Sequence, residues 1–256
     1  MLVKQLTLTK VLSVLVLLAN CHGRIEIEKY LKTCDRNSPD VNDCLLEAIT
    51  EGLTLMCDGI PDLGLPPIDP YEQDDIKVEY KRNQISAKMY MKDIVVAGLR
   101  QAKVLDARLR ADEERFHLEV DMTSPSVFVT GRYHGEGRYN SLRVNATGGF
   151  NTTMRDLVYT WKLDGKPLKR DGETFVKIHS FYMRPDVGDL QAYASDIFPD
   201  NPQLTELANQ ITNQNWRIMY RELLPYAQAN WNLTGVKIAN KIFLKVPYDQ
   251  LFPASS

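Results

Sequence analysis

The chain has 256 residues, 44% of them hydrophobic and 25% charged, and its 31 Lys/Arg against 33 Asp/Glu leave a formal charge of −2. The two signs are interspersed, with no basic stripe to neutralise a phosphate backbone, which argues against nucleic acid as a partner. No low-complexity stretch and no fixed-period repeat divides the chain, so the default is one domain with one core.

In chain order, the first 23 residues read as an export signal. Lys4 and Lys10 give a positive start, Val11 to Ala19 is apolar apart from Ser13, and Cys21 and Gly23 are the small residues before a cleavage point. The apolar run is shorter than the roughly 20 residues a membrane span needs, and no later stretch reaches half of that without a charge. Residues 24–256 are therefore expected as a single exported, soluble domain with no integral membrane segment, and loss of the two lysines takes the formal charge from −2 to −4.

Export places the cysteines in an oxidising compartment. Cys34-x9-Cys44 then reads as a disulfide around a Ser38-Pro39-Asp40 turn, leaving Cys57 either as a small buried apolar residue or as a partner for Cys34, Cys44 or a second chain. Three sequons, beginning at Asn145, Asn151 and Asn232, make the chain a candidate glycoprotein and predict that these asparagines face solvent.

Val41, Cys44, Leu45, Ala48, Ile49, Gly52, Leu53 and Met56 recur at steps of three and four, which predicts a helix over 41–58 with Asp40 as N-cap and Gly59 and Pro61 as the stop. The passage from Gly59 to Pro70 must be extended, because each proline fixes its own φ and restricts the residue before it. Period-two alternation follows in Ile76 to Tyr80, Ile85 to Met91, Phe116 to Met122, Val127 to Tyr133, Leu142 to Ala146 and Leu157 to Leu163. Gly148-Gly149 reads as a bulge or tight bend and Asp164-Gly165 as a hairpin turn, so the middle is a long antiparallel meander.

Helical spacing returns from Pro202 to about Trp231, with Asn201 as N-cap, a stripe from Leu204 to Ala227, and a kink at Pro225. Such a helix would be roughly 45 Å long and needs a sheet along it. The last segment, Ile242 to Val246 and Leu251 to Phe252, reads as an extended apolar tail docking on the domain.

Together these motifs resemble the takeout and juvenile hormone-binding family, within a wider group of tubular lipid-binding domains. The resemblance runs over nearly all of 24–256. It is carried by Cys34-x9-Cys44-Leu45, by Gly59-Ile60-Pro61-Asp62-Leu63-Gly64-Leu65-Pro66-Pro67-Ile68-Asp69-Pro70, by Ala97-Gly98-Leu99, and by the ending from Asn240 to Pro253. It implies an α+β fold: a long C-terminal helix wrapped by a highly curved antiparallel sheet, enclosing an apolar tunnel, beside a short disulfide-tethered N-terminal helix. It also implies a secreted carrier of a terpenoid, fatty acid or quinone-like ligand, with links to hormone transport, feeding, circadian output or chemosensation. Moth hormone carriers of that family typically have a second disulfide late in the chain; the absence of cysteine after Cys57 favours the takeout branch over juvenile hormone itself as ligand.

No serine elbow, His-Glu-x-x-His pair or phosphate loop stands out, and His117, His134 and His179 are isolated, so neither catalysis nor a metal or cofactor is expected. The residues expected to line a tunnel are Met89 and Met91; Phe116, Leu118, Val120, Val129 and Tyr133; Val144, Tyr159 and Phe181; and Ile211, Trp216, Met219 and Leu223. Each has plain core packing as its competing role. The alternative to a lipid carrier is an extracellular module for a protein partner, such as a receptor or a hormone-handling enzyme, whose interior is merely core.

Overall fold

The structure, a computed structural model, describes residues 26–82 and 85–254; the export signal expected over 1–23 lies outside them. Helix α1, Val41–Asp58, buries Leu45, Ala48, Gly52, Leu53 and Cys57 on one side, the stripe that the three-four spacing specifies. Asp40 stands at the N-cap but its side chain makes no capping bond, whereas Gly59 ends the helix at φ 82° and donates its N–H to the Met56 carbonyl. A disulfide joins Cys34 to Cys44, with 5.8 Å between their Cα atoms, and so ties the first turn of α1 to the segment before it. Cys57 is a free, buried thiol, and burial pushes its pKa up.

The proline passage is more compact than the extended run expected of it. Pro61–Leu63 form a 3₁₀ turn, Gly64 takes the left-handed region at φ 65° that favours glycine, and Ile60 pairs back on Leu65. This turns Ile60, Leu63, Leu65 and Ile68 inward.

Eight strands make one antiparallel sheet: β1 Tyr71–Gln73, β2 Ile76–Arg82, β3 Ile85–Ala97, β4 Lys103–Ala111, β5 Phe116–Tyr139, β6 Leu142–Arg170, β7 Glu173–Met183 and β8 Asp186–Ala194. The spine is the long hairpin β5–β6, of 24 and 29 residues. Shorter strands flank it end to end: β3 and β4 on β5, β7 and β8 on β6, β1 and β2 on the far side of β3.

Two turn expectations change. Asp164-Gly165 is a register shift inside β6, and the β6–β7 turn is Asp171-Gly172, both at positive φ, the combination that matches strand twist. Gly148-Gly149 continues the β5 register without a bulge. Glycine is needed at 148 because a Cβ there would lie 2.5 Å from the Ser195 carbonyl oxygen.

The segments read as separate strands are single because the break in one strand stands opposite a break in its partner. Pro125 and Asp156 stand opposite each other without pairing, while Ser124↔Leu157 and Ser126↔Arg155 keep register on either side, and Asp156 takes φ 52°. The alternation changes phase there. Buried Met122 and Ser124 give way to buried Val127, and Tyr159 and Leu157 to partly buried Met154, so one face stays concave and apolar while the hairpin bends.

The C-terminal part differs from the single kinked helix expected. Helix α2, Pro202–Gln214, opens on Asn201, whose side chain accepts the Leu204 N–H. The break is at Asn215, and α3 runs Trp216–Phe243 as one helix with the exposed Pro225 inside it. The expected extended tail is also partly helical: α3 reaches Phe243, and α4, Tyr248–Leu251, follows. Phe243 and Phe252 pack on Phe116 with ring centroids 5.1 and 5.6 Å away. Arg36 donates to the Phe252 carbonyl and lies over the Tyr248 ring, so α1, β4 and the tail seal one end around the main core.

The sheet itself is open, and α3 occupies the gap. On the β7 side, Asn240 accepts the Ile178 N–H and donates to its carbonyl, and Asn232 accepts the Phe181 N–H. On the β1 side, Thr234 donates to Gln73 and Lys237 pairs with Asp74 at 2.7 Å. Helix α2 treats β8 in the same way, with Asn209 on Ala194 and Asn213 on Ala192, each bonding both N–H and carbonyl, and Asn42 of α1 accepts the Leu109 N–H of β4. Each carboxamide stands in for the peptide of a missing neighbouring strand, which satisfies the exposed edge.

Candidate functional site

Antiparallel register defines the concave face residue by residue, since directly paired residues project to the same side. Three rows cross four strands at the end away from the main core: Ile76–Met91–Tyr133–Gly148, Val78–Met89–Gly135–Ala146 and Tyr80–Ala87–Gly137–Val144. The rows are apolar throughout, with small residues at Ala87, Gly135, Gly137, Ala146 and Gly148 and larger ones at Tyr133 and Val144 on β5 and β6. A Cβ on Gly135 or Gly137 would meet its neighbours at ordinary van der Waals distance, nothing closer than 3.7 Å, so either position admits a side chain without a clash.

A hollow of about 450 Å³ lies at this end of the sheet, and most of its lining is the opposite-facing rows Glu79–Lys88–Glu136–Asn145 and Lys81–Ser86–Arg138–Arg143, with Tyr80, Ala87, Gly137 and Val144 between them. Tyr80 faces Tyr226 of α3 with ring centroids 6.5 Å apart, which brings the helix over this end. Tyr133 donates to the Ser195 carbonyl at 2.7 Å and pins the β8–α2 connection across Gly148.

Toward the middle, Trp161 links Tyr159 and Phe181, 6.2 Å from each, and donates to the Met183 sulfur at 3.2 Å. The Ser124 and Tyr159 hydroxyls bond each other at 2.8 Å; burial raises the Tyr159 pKa. Phe181 supports α3 directly, since a Cβ on Gly235 would lie 2.2 Å from the ring. Burial pushes the Tyr220 phenol up to about 12, and it donates to the Pro185 carbonyl at 2.8 Å.

The residues expected to line a tunnel fall into four places. Met89, Met91, Tyr133 and Val144 share the glycine-floored rows, where Met89 retains 37% exposure. Val129, Tyr159 and Phe181 stand in the middle of the concave face, with Trp216 buried on α3 nearby in sequence to Tyr220. Phe116, Leu118 and Val120 are buried at the sealed end, in the core that Phe116 forms with the tail. Ile211, Met219 and Leu223 are 52%, 42% and 45% exposed, and Ile211 lies on the opposite side of α2 from Thr205 and Asn209.

Of the sequon asparagines, Asn145 and Asn151 are exposed but Asn232 is half-buried with its carbonyl committed to Phe181; the expectation that all three face solvent does not hold there. The edge-capping asparagines are a feature that sequence reasoning missed. Their signal is the spacing of 209 with 213 and of 232 with 240, which places each pair on one helix face.

The convex face carries the charge. Arg108 pairs with Glu119 and Asp121, and Glu119 also accepts from Lys162 at 2.8 Å. Lys162 first, then Arg108, hold the Glu119 carboxyl down to about 2. His117 lies between Asp164 and Glu119, and His134 bonds Thr147. Among the described residues no cluster of three His, Cys, Asp or Glu forms a metal site, and no helix is long and apolar enough to cross a membrane.

The chain is 21% identical over 202 residues to the circadian clock-controlled protein daywake of Drosophila yakuba, covering 77% of this chain and 78% of that one. It is 20% identical over 225 residues to a putative beta-carotene-binding protein of Schistocerca gregaria, covering 87% and 88%. The crystal structure of Takeout 1 from Epiphyas postvittana superposes with a TM-score of 0.69 at 19% identity, over 87% of this chain and 99% of that one, and has the same rolled sheet and long helix. The family model for haemolymph juvenile hormone-binding protein matches residues 11–253, and the chain belongs to that family.

Proposed function

We propose that the chain is a secreted binding protein, not an enzyme, for a small lipophilic molecule held between the concave face of the sheet and α3. One observation carries the reading: the two outer rows carry Ala87, Gly135, Gly137 and Ala146 where a packed core would place large side chains, and a Cβ on either glycine would meet nothing closer than 3.7 Å. Methionines 89 and 91 beside that space adapt to an irregular ligand. Enclosing roughly 400 Å² of apolar ligand at ~25 cal/mol per Å² supplies about 10 kcal/mol gross, enough for micromolar to nanomolar affinity after immobilisation costs.

The names of the relatives support a terpenoid, carotenoid or similar lipophile as cargo and a role in hormone transport or circadian output. Asn145 and Asn151 are the glycan carriers in this reading, and residues 24–256 form one exported domain. A second reading, a protein-binding module, draws on the exposed stripe of Leu204, Leu207 and Ile211, which are 38%, 48% and 52% exposed.

The deciding experiment is mass spectrometry of organic extracts from the purified full chain, native against denatured. A stoichiometric lipophile released on denaturation is the expected result. None, even after loading with terpenoid and fatty-acid mixtures, overturns the carrier in favour of the protein partner.

A further inference from the structure

Arg138 and Arg143 stand directly opposite each other on β5 and β6, and Ser86 and Lys81 continue their row across β3 and β2. Three cations therefore share one face of a single row, although like charges directly opposed across two strands are destabilising. Elsewhere on the sheet Arg108, Arg132, Arg155 and Lys162 each meet a carboxylate. Lys81, Arg138 and Arg143 are exposed and meet none at ion-pair distance among the described residues; Arg138 donates only to the Asn140 carbonyl there. The carboxylates of the next row are taken by other partners, Glu79 by Lys77 at 2.7 Å and Glu136 by His134 at 3.7 Å. The chain as a whole has a formal charge of −2, so this positive end is local.

The three cations border the hollow of about 450 Å³ at the tips of the two hairpins, which suits it to anions. The other side of the same strands says which anionic partner fits. Tyr80, Ala87, Gly137 and Val144 alternate with the cations and form the outermost apolar row. Tyr80 faces Tyr226 of α3, and one and two turns before Tyr226, on the same stripe, Leu223 and Met219 are 45% and 42% exposed. Unpaired cations and exposed apolar side chains thus share one end of the roll. A soluble polyanion would engage the cations and leave the apolar groups wet, whereas a lipid surface takes both.

We propose that this end of the roll docks on an anionic lipid bilayer, with Lys81, Arg138 and Arg143 against the headgroup phosphates and carboxylates and the Tyr80 edge toward the acyl boundary. The choice of a bilayer rests on the carrier reading, since a lipophile exchanged there does not have to cross water.

The test is flotation of the purified full chain with vesicles of phosphatidylcholine alone, or of phosphatidylcholine and phosphatidylserine in roughly equal parts, with no cargo added. The chain keeps any glycans, since Asn145 stands in the next row. Binding is expected to the serine-containing vesicles and to weaken as salt is raised. The Arg138→Gln, Arg143→Gln double variant should lose about tenfold or more of that partition. Lys166→Gln with Lys177→Gln removes the same charge from another directly opposed pair, toward the sealed end, and should lose no more than about twofold. Equal losses in the two variants, equal binding to both vesicles, or no binding to either overturns the docking surface. Retention on heparin without vesicle binding replaces the bilayer with a soluble polyanion. Should the first variant fail to fold, amine labelling of the unmodified chain decides: Lys81 and Lys88 are expected to be protected by the anionic vesicles and Lys166 and Lys177 not, and equal labelling of the two pairs refutes the proposal. None of these outcomes bears on cargo, whose absence is read from the organic extract.

Discussion

Asn209 gives both halves of its carboxamide to Ala194, accepting the N–H and donating to the carbonyl, each at 3.0 Å. A side chain on a helix thereby replaces a strand at the sheet edge. Replacing Asn209 with leucine keeps the volume and strands both peptide groups of Ala194 away from their partner. The expected cost is about 2–3 kcal/mol, read from chemical denaturation, with faster amide exchange confined to β8. A variant as stable as the parent would mean that water serves the edge equally well.

Gly235 offers a test in which propensity and packing have opposite signs. Alanine is normally worth about 1 kcal/mol over glycine inside a helix, yet here its Cβ meets the Phe181 ring. Gly235→Ala is expected to destabilise by about 2 kcal/mol or more, and Phe181→Leu in the same chain to recover part of that loss. A stabilised single variant would place α3 further from β7 than described.

Filling the cleft separates binding from stability. Gly135 can accept a Cβ without a clash, so Gly135→Leu is expected to change the free energy of unfolding by no more than about 1 kcal/mol. Lipophile binding should fall at least tenfold. If affinity survives, the cargo lies elsewhere on the concave face.

Tyr248 is 4% exposed, and its hydroxyl is a buried polar atom without a hydrogen-bond partner among the described residues. Tyr248→Phe removes the oxygen and keeps the rings on Phe116 and Phe252. The variant is expected to be neutral or up to ~1 kcal/mol more stable in thermal melts.

Acid stability follows from Glu119. Its carboxyl is lowered from 4.5 to about 2 by Lys162 and Arg108. The stabilisation is therefore complete above pH 4.5 and is lost as pH falls toward 2. The partners are partly exposed, so the contribution is about 1 kcal/mol. Glu119→Gln should lose that amount at pH 7 and flatten the stability curve between pH 4.5 and 2.

Much of this architecture is legible in the residues. Helix α1 announces itself by the stripe from Leu45 to Met56 and the Gly59 stop, and the concave set by alternation on each side of Pro125. What alternation does not convey is that Pro125 and Asp156 bend one continuous hairpin; a proline and a positive φ look like breaks until their partner strand bends with them. Likewise Asn209, Asn213, Asn232 and Asn240 read as the wet side of amphipathic helices. Their bonds go to strand edges whose position depends on the whole roll of the sheet. Asp164-Gly165 is a turn by composition and a bulge by context, because the pairing with Lys177 and Ile178 continues past it.

In a closed barrel, strand number and stagger fix the diameter. Here the circumference is completed by α3 through Asn232 and Asn240 on one flank and Thr234 and Lys237 on the other. Girth is thus set by how side chains seat the helix, not by strand stagger. A bulkier cargo can be accommodated by sliding or tilting one cylinder, with every rung between strands left intact.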